Sequence, residues 1–372
     1  MKQSIPSEPA FPSEKAPVGG PPETPSYRLT DNLRPGLFFL RGIIAVALTA
    51  LLVLTTLVCI LSKTPGRTLY YFFFGPFLNV FHFGNMLNAA VPLIMGGLGI
   101  SVAMQAGSLN LGGEGQLYSG AFVSTVTGIA LAHLGFFGGG VALLAGAFFA
   151  GAAAALSGFL KAKWNTNELI TSFLLSNTLI LIVNYFVNGP FADPYSNLQS
   201  TARIPQNLRL PMILLPSNLN MSLFIALAVV VIVHVFITRT KRGYEFRITG
   251  ANEIFARYGG INTKMNTVLA MFLSGALYGL AGSLMIFGTF FGTVKEFSAG
   301  LGWNGLATAL VAGFYPPAVI PSSLFFAWIS SGARIAMQNS DITFEIAYVV
   351  QAVILIPATS LVLKNLLAKK RR

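Results

Sequence analysis

Ten stretches of this chain are apolar over lengths close to, or beyond, what a helix needs to cross lipid: 38–61, 86–106, 112–132, 137–160, 168–187, 221–238, 267–288, 303–315, 317–333 and 344–363. About 20 apolar residues in a helix cover the roughly 30 Å of bilayer hydrocarbon. Water is missing there, so backbone N–H and C=O groups must be satisfied within the segment or within a closed barrel. Unbroken apolar runs of this length are helices. The expected fold class is therefore all-α, a polytopic transmembrane helical bundle of about 8–10 spans with broken or re-entrant segments. The range stays open because 303–315 is too short to cross as a straight helix. It and its neighbours can instead form one re-entrant pair.

Charge agrees with this reading. Only 10% of the 372 residues are charged, against about 25% in soluble domains, too few to cover a surface facing water. The net charge of +12 could suggest a nucleic-acid partner, but the positions argue against one. Lys161 and Lys163 follow the fourth apolar stretch. Arg239, Lys241, Arg242, Arg247, Arg257 and Lys264 follow the sixth, and Lys364, Lys369, Lys370, Arg371 and Arg372 follow the last. Basic residues between and beyond apolar spans mark the cytoplasmic face of a membrane. Placing all three clusters there leaves an even number of crossings between them, puts both termini inside and turns the proline-rich loop 188–220 outward. Lys63 and Arg67 then fall outside, an exception to the rule.

Residues 1–33 differ from the rest. They are rich in Pro, Ser and Glu and lack an apolar core of signal-peptide type, and they read as a disordered cytoplasmic tail. Residues 34–363 form the membrane domain, with a basic loop at 239–265, and 364–372 form a short basic cytoplasmic tail. A single cysteine, Cys59, excludes a disulfide within the chain and leaves it as a packing or lipid-facing residue. No Gly-Lys dipeptide occurs, so the usual phosphate-cradling loop is missing, as is His-Glu-x-x-His. The histidines at 82, 133 and 234 are far apart. No catalytic residues and no metal ligands emerge, and an intramembrane enzyme would need a catalytic pair that the sequence does not offer.

Four segments carry chemistry. Ala106–Gly120 interrupts two apolar runs with five glycines and with Asn110, Glu114 and Gln116. A carboxylate at membrane depth is buried in protein or faces a watery cavity, and unwound backbone is tolerated only in the same places. The segment is thus a candidate for the path of a solute; a tight turn between spans with an interfacial glutamate is the alternative, and counting spans places it near the cytoplasmic side. In Asn165–Asn177, Asn167 and Glu168 suit a helix start, while Ser172, Ser176 and Asn177 lie deeper and either join helices or line the route. In the basic loop, with six bases and two acids, Asn252 can cap a short helix running to about Tyr258 and closed by Gly259 and Gly260. Such a defined helix suits docking on a partner. Finally, Ser274–Pro316 holds a Gly275/Gly279 pair for close helix packing and a second Gly-rich interruption, Gly300–Gly305, with Trp303 and Asn304. Paired broken segments point to a central site in a transporter. Lys295, Glu296, Arg334, Asp341 and Glu345 read as loop or helix-end residues.

Taken together, residues 92–121, 167–177, 250–262, 274–282 and 300–313 resemble permease subunits of ABC importers of the branched-chain amino acid and ribose type, nearest to nucleoside or simple-sugar permeases. The most specific parts are Asn110, Gly112, Glu114, Gly115 and Gln116 combined with Ala256–Arg257–Tyr258–Gly259–Gly260–Ile261. The resemblance implies a bacterial inner-membrane permease, not an enzyme, that passes a nucleoside or similar sugar-like solute. It implies a path through Asn110, Glu114, Gln116, Ser176, Asn177 and Asn304. It also implies that Gly250, Asn252, Ala256, Arg257, Tyr258, Gly259 and Gly260 couple to a cytoplasmic ABC ATPase. The other implied partners are a second related permease, an extracytoplasmic substrate-binding lipoprotein and membrane lipid. The chain itself would bind no cofactor, with ATP and magnesium held by the ATPase. The competing reading is a secondary transporter driven by an ion gradient, with Glu114 as the proton or cation site.

Overall fold

The computed structural model describes residues 62–341 continuously, together with 48, 52, 53, 55–60, 343, 345, 349 and 352. Most of the first apolar stretch, the last one (344–363) and both tails lie outside the described residues. Eleven α-helices fall within 62–341. They are α1 (Pro65–Phe74), α2 (Val80–Gln105), α3 (Gly113–Ala130), α4 (Gly135–Trp164), α5 (Glu168–Asn188), α6 (Ser222–Arg239), α7 (Lys241–Ala251), α8 (Glu253–Tyr258), α9 (Thr263–Met285), α10 (Leu301–Val311) and α11 (Val319–Asn339). Among the described residues, six helical stretches, those containing α2, α4, α5, α6, α9 and α11, are long and apolar enough to cross a membrane. The eighth apolar stretch is indeed short: it is α10, with 11 residues.

Mean hydropathy identifies the spans but not their place. It is 1.7 for the stretches containing α2, α5 and α9 alike, yet 83% of the α2 window is buried inside the protein, 67% of the α9 window and 22% of the α5 window. Lipid and protein interior are equally apolar, so small residues decide which helices sit centrally. Helix α9 is the hub, packing most extensively on α4 and then on α2 and α3. Its Gly275 and Gly279 allow the contact with α4: a Cβ on Gly275 would stand 2.5 Å from the Ala150 carbonyl oxygen, and one on Gly279 would stand 2.6 Å from that of Gly146.

Helix starts follow from the expected capping chemistry. Asn79 Oδ1 accepts from the His82 N–H at 2.7 Å to open α2, and Asn167 Oδ1 accepts from the Leu169 N–H at 2.9 Å to open α5. Lys161, in the last turn of α4, pairs with Glu168 at 2.7 Å and also reaches the Gly107 carbonyl and Ser108 Oγ. These residues, with α7 and α8, define a basic end of the bundle. At the opposite end α9 continues into a π-helical turn, Ile286–Phe290. From there 291–300 folds back along the proline-rich loop: the Ile204 N–H donates to the Phe291 carbonyl at 2.7 Å, the Thr201 N–H to the Thr293 carbonyl at 3.0 Å and the Lys295 N–H to the Gln199 carbonyl at 2.8 Å.

Candidate functional site

The two Gly-rich interruptions meet. Residues 106–112 run non-helically from the basic end, where Gly107 abuts Gly250, to the level of α9's middle. There the Asn110 side chain donates to Ser274 Oγ at 3.0 Å, and Gly113 backs onto Tyr278. Ser274 and Tyr278 lie eleven and fifteen residues into α9, about 16 and 22 Å along its axis. One end of this segment therefore lies at the basic end of the bundle, while its polar residues reach the level of α9's middle. From Gly113, α3 runs on towards the far end, where Gly128 meets Phe287. The second interruption does the reverse. It descends from the far end to Gly300, which has φ +85°, and α10 then runs back towards the basic end, where Gln105 Nε2 donates to the Phe314 carbonyl at 3.3 Å.

Two helix N-termini thus face each other at mid-depth, and Glu114 lies between them. It sits in the first turn of α3. Its Oε1 accepts from the Gly300 N–H at 3.0 Å and its Oε2 from the Gly302 N–H at 2.7 Å, at the start of α10. Each helix N-terminus carries about half a positive charge and N–H groups without intrahelical partners. One carboxylate answers both needs. The Tyr278 hydroxyl donates to the Gly302 carbonyl at 3.0 Å and holds the same turn from the other side.

Around this junction the polar side chains close on one another. Asn110 and Gln116, 1% and 2% exposed, exchange two hydrogen bonds of 2.7 and 3.0 Å, and Asn110 Oδ1 also accepts from the Gly112 N–H at 2.9 Å. From α5, Ser172 Oγ accepts from the Leu111 N–H at 3.1 Å, and Ser176 Oγ accepts from the Gly115 N–H at 2.8 Å. Their four-residue spacing puts both on one helix face, against the unwound backbone. Of the sequence-derived path residues, Asn110, Glu114, Gln116 and Ser176 come together here. Asn177 does not: it is exposed on α5 and donates to its own helix at the Phe173 carbonyl.

Asn304 lies elsewhere, on a cavity of about 510 Å³ between α2, α9, α10 and α11. The cavity extends from the end opposite the basic cluster, at Asn85 and Gln338, down to Leu301 and Asn304 in the first turns of α10. Asn88, Thr289, Phe290, Phe297 and Arg334 also line it. Arg334, expected at a loop or helix end, sits inside α11. Sequence reasoning missed this site apart from Asn304. The signal was present in Asn85, Asn88 and Gln338, which are amides in helices otherwise apolar.

At the basic end α8 forms as expected. Asn252 Oδ1 accepts from the Phe255 N–H at 3.0 Å, and Gly260 follows with φ +75°. Helix α8 is tied internally and to the start of α9: Arg257 pairs with Glu253 at 2.6 Å, and its Nε donates to Thr263 Oγ1 at 3.3 Å. Ala256 is buried, whereas Ile254, Phe255 and Tyr258 are 68%, 65% and 88% exposed. Three large apolar side chains on six helical residues are thus held outward at a charged end.

The structure is thus a bundle of long apolar helices with two broken segments meeting at its centre and exposed apolar side chains at its basic end. Comparison with known proteins gives the class. Residues 83–359 match the family described as branched-chain amino acid transport system / permease component. The chain is 33% identical over 307 residues to a probable riboflavin import permease protein of Treponema pallidum, covering 81% of this chain and 80% of the relative. It is 26% identical over 305 residues to a guanosine ABC transporter permease of Bacillus subtilis, covering 80% and 87%, and 29% identical over 288 residues to a glucose ABC transporter permease of Haloferax volcanii, covering 73% and 74%. No solved structure matches. The chain belongs to this permease family. It is a multi-pass membrane permease subunit of an ABC-type importer, not an enzyme, and ATP hydrolysis belongs to a separate subunit. This favours the ATP-driven reading over the ion-coupled one.

Proposed function

We propose that the chain is one half of an import pore in a bacterial inner membrane, passing a nucleoside or similar sugar-like solute handed over by an extracytoplasmic substrate-binding lipoprotein. The basic end with α7 and α8 is cytoplasmic, and both termini lie on that side. A second, related permease completes the pore within the lipid. ATP and magnesium are held by the cytoplasmic ATPase, and this chain contributes no cofactor site. The relatives act on riboflavin, guanosine and glucose by their descriptions, and a fused ring or sugar with several hydroxyls is their common ground.

The observation that carries this reading is α8. The cap at Asn252 and the Glu253–Arg257–Thr263 tie make it rigid, and its exposed Ile254, Phe255 and Tyr258 give the ATPase a surface to push. Gly250 anchors the other end of the loop, since it leaves no room for a Cβ against Gln105 and Gly107. Movement of α8 is thereby passed through α7 to the unwound segment that begins at Gly107. Asn110, Glu114, Gln116 and Ser176 act in the path as the moving junction, and Asn304 as a wall of it. The ATPase shifts the balance of inward and outward arrangements by binding them unequally.

The test is to purify the chain from its native membrane with whatever accompanies it. An ABC ATPase should come with it, and hydrolysis in liposomes should rise when loaded binding protein is added. Intact uptake with no ATPase partner overturns the proposal. Arg257→Ala or Gly260→Val should insert normally, yet lose the ATPase or leave its hydrolysis unresponsive. Normal uptake in both variants removes α8 from the coupling role.

A further inference from the structure

Helix α5 holds the unwound segment through Glu168, Ser172 and Ser176, which recur at four-residue intervals on one face of the helix. Ser176 Oγ accepts from the Gly115 N–H at 2.8 Å, and Ser172 Oγ accepts from the Leu111 N–H at 3.1 Å. The contact through Glu168 is indirect and differs in kind. Glu168 Oε1 stands 2.7 Å from Lys161 Nζ, and the same ammonium donates to Ser108 Oγ at 3.3 Å and to the Gly107 carbonyl at 3.4 Å. An ammonium has three N–H donors and no acceptor, so these oxygens use all of them. Ser108 is 1% exposed, and the bond from Lys161 is the only one its hydroxyl makes among the described residues. The carboxylate is favoured where it stands, in the first turn of α5. Side-chain exposures of 24% and 15% leave the pair partly shielded from screening by salt.

This ionic contact lies where α7 meets the segment. Gly107 has φ +71°, and a Cβ on it would stand 3.1 Å from the Gly250 Cα near the end of α7. Gly107 is therefore touched by α7 and held at its carbonyl by Lys161 of α4. We propose that Lys161 is a positioning residue for the ATP-driven step. It is an ionic latch that keeps the start of the unwound segment in register with α5, so that displacement of α7 is carried into the segment. A loose start would absorb that displacement as backbone rotation at Gly107, since glycine restrains its own dihedrals least. With the latch closed, the shift passes along the segment to Leu111 and Gly115, and Glu114 hands it to α10 through the Gly300 and Gly302 N–H groups. The flexible four-carbon stem of lysine lets the ammonium follow a moving carbonyl, which the short serines higher on α5 cannot do.

This inference rests on the coupling role of α8, and one experiment separates the two. The chain in complex with its ATPase is placed in nanodiscs, either free of nucleotide or trapped with ADP and vanadate. Amide hydrogen exchange is then followed by mass spectrometry. In wild type, trapping should change exchange at 253–258 and at 106–112, each by at least about fivefold, the low end of coupling between distant sites. Lys161→Met should keep the response at 253–258 and lose it at 106–112, where exchange becomes fast in both states. Lys161→Arg still donates to carboxylate and carbonyl and should restore it. Glu168→Gln leaves the ammonium a neutral acceptor and should lose part of the response; it carries the test if Lys161→Met does not accumulate in the membrane. A wild-type response at 106–112 in Lys161→Met, or in Glu168→Gln where that variant stands in for it, overturns the latch. So does faster exchange spread evenly over α4, α5 and α9, which is what a merely structural ion pair predicts. A wild-type chain that responds at 253–258 but not at 106–112 also overturns the latch and leaves coupling through α8 intact. No response at 253–258 in wild type fails the coupling role itself, and the latch falls with it.

Discussion

Two polar regions lie at similar depth in this bundle and behave oppositely. Around Asn110 the side chains are nearly inaccessible, and each amide and hydroxyl there finds a partner in another broken or neighbouring segment. Around Asn304 the amides open on a cavity: Asn304 and Gln338 make no side-chain hydrogen bond among the described residues, while Asn85 and Asn88 pair only in part. Polarity within apolar spans is thus of two kinds. Closed polarity holds an unwound segment in place, because orphan backbone groups have no water to turn to. Open polarity faces a space wide enough for water and needs no partner within the protein. Composition does not separate them, since both regions are built of Asn, Gln and Ser flanked by glycine.

The largest effect should come from opening the closed region. Asn110→Leu leaves the Gly112 N–H, the Gln116 side chain and Ser274 Oγ short of a partner, at about 1–3 kcal/mol for each buried group. Purified protein should show a thermal midpoint lowered by many degrees, or fail to accumulate in the membrane. The contrasting Asn304→Ala change should leave the midpoint within about 1 °C, as surface-like substitutions do. Similar midpoints for both variants would erase the distinction.

A smaller effect is expected at the seam between the regions. Glu114→Gln keeps the shape but replaces a charged acceptor with a neutral one, and charge-assisted bonds are roughly twice as strong. A loss of about 1–2 kcal/mol follows, with α10 less firmly held and basal hydrolysis by the ATPase raised relative to the stimulated rate. The ATP-driven reading expects wild type and variant to share one pH profile of uptake. A wild-type pH profile flattened by this variant would return Glu114 to the ion-coupling role.

Much of this was legible beforehand, for physical reasons that particular residues show. Hydrophobic run length found the six long apolar helices because lipid imposes it, but it also counted 112–132, where α3 is not among them. Asn167 and Asn252 announced helix starts, since capping is local and needs only the residue and its next few neighbours. Gly275 and Gly279 announced a close contact, though not that its partner would be Ala150 and Gly146 on α4. What stayed hidden depends on residues far apart in sequence. Glu114 lies nearly two hundred positions from Gly300, and no spacing rule links a carboxylate to the start of a helix that distant. The cavity joins Asn85 to Gln338 in the same way. The outward face of α8 was hidden for another reason: a helix of six residues is too short for its apolar pattern to show which side is buried.

The smallest effect separates a third kind of polar site, one that faces water. Asp341, just beyond α11, accepts from the Ser62 hydroxyl at 2.7 Å and from the Lys63 N–H at 2.6 Å. The Ser62 hydrogen bond first, and the Lys63 N–H second, hold its carboxyl below the usual carboxylate value. A depressed folded-state pKa contributes stability that is fully present above the unfolded value, about 3.9 for Asp, and that is lost as pH falls through the lower folded value. The difference in thermal midpoint between wild type and Asp341→Asn should therefore be small and constant above about pH 5, and should shrink below about pH 4. The Asn110→Leu deficit, which involves no titrating group, should hold steady over the same range. A deficit for Asp341→Asn that grows on acidification reverses the sign of the argument. One that matches Asn110→Leu in size removes the ranking of closed over exposed polarity.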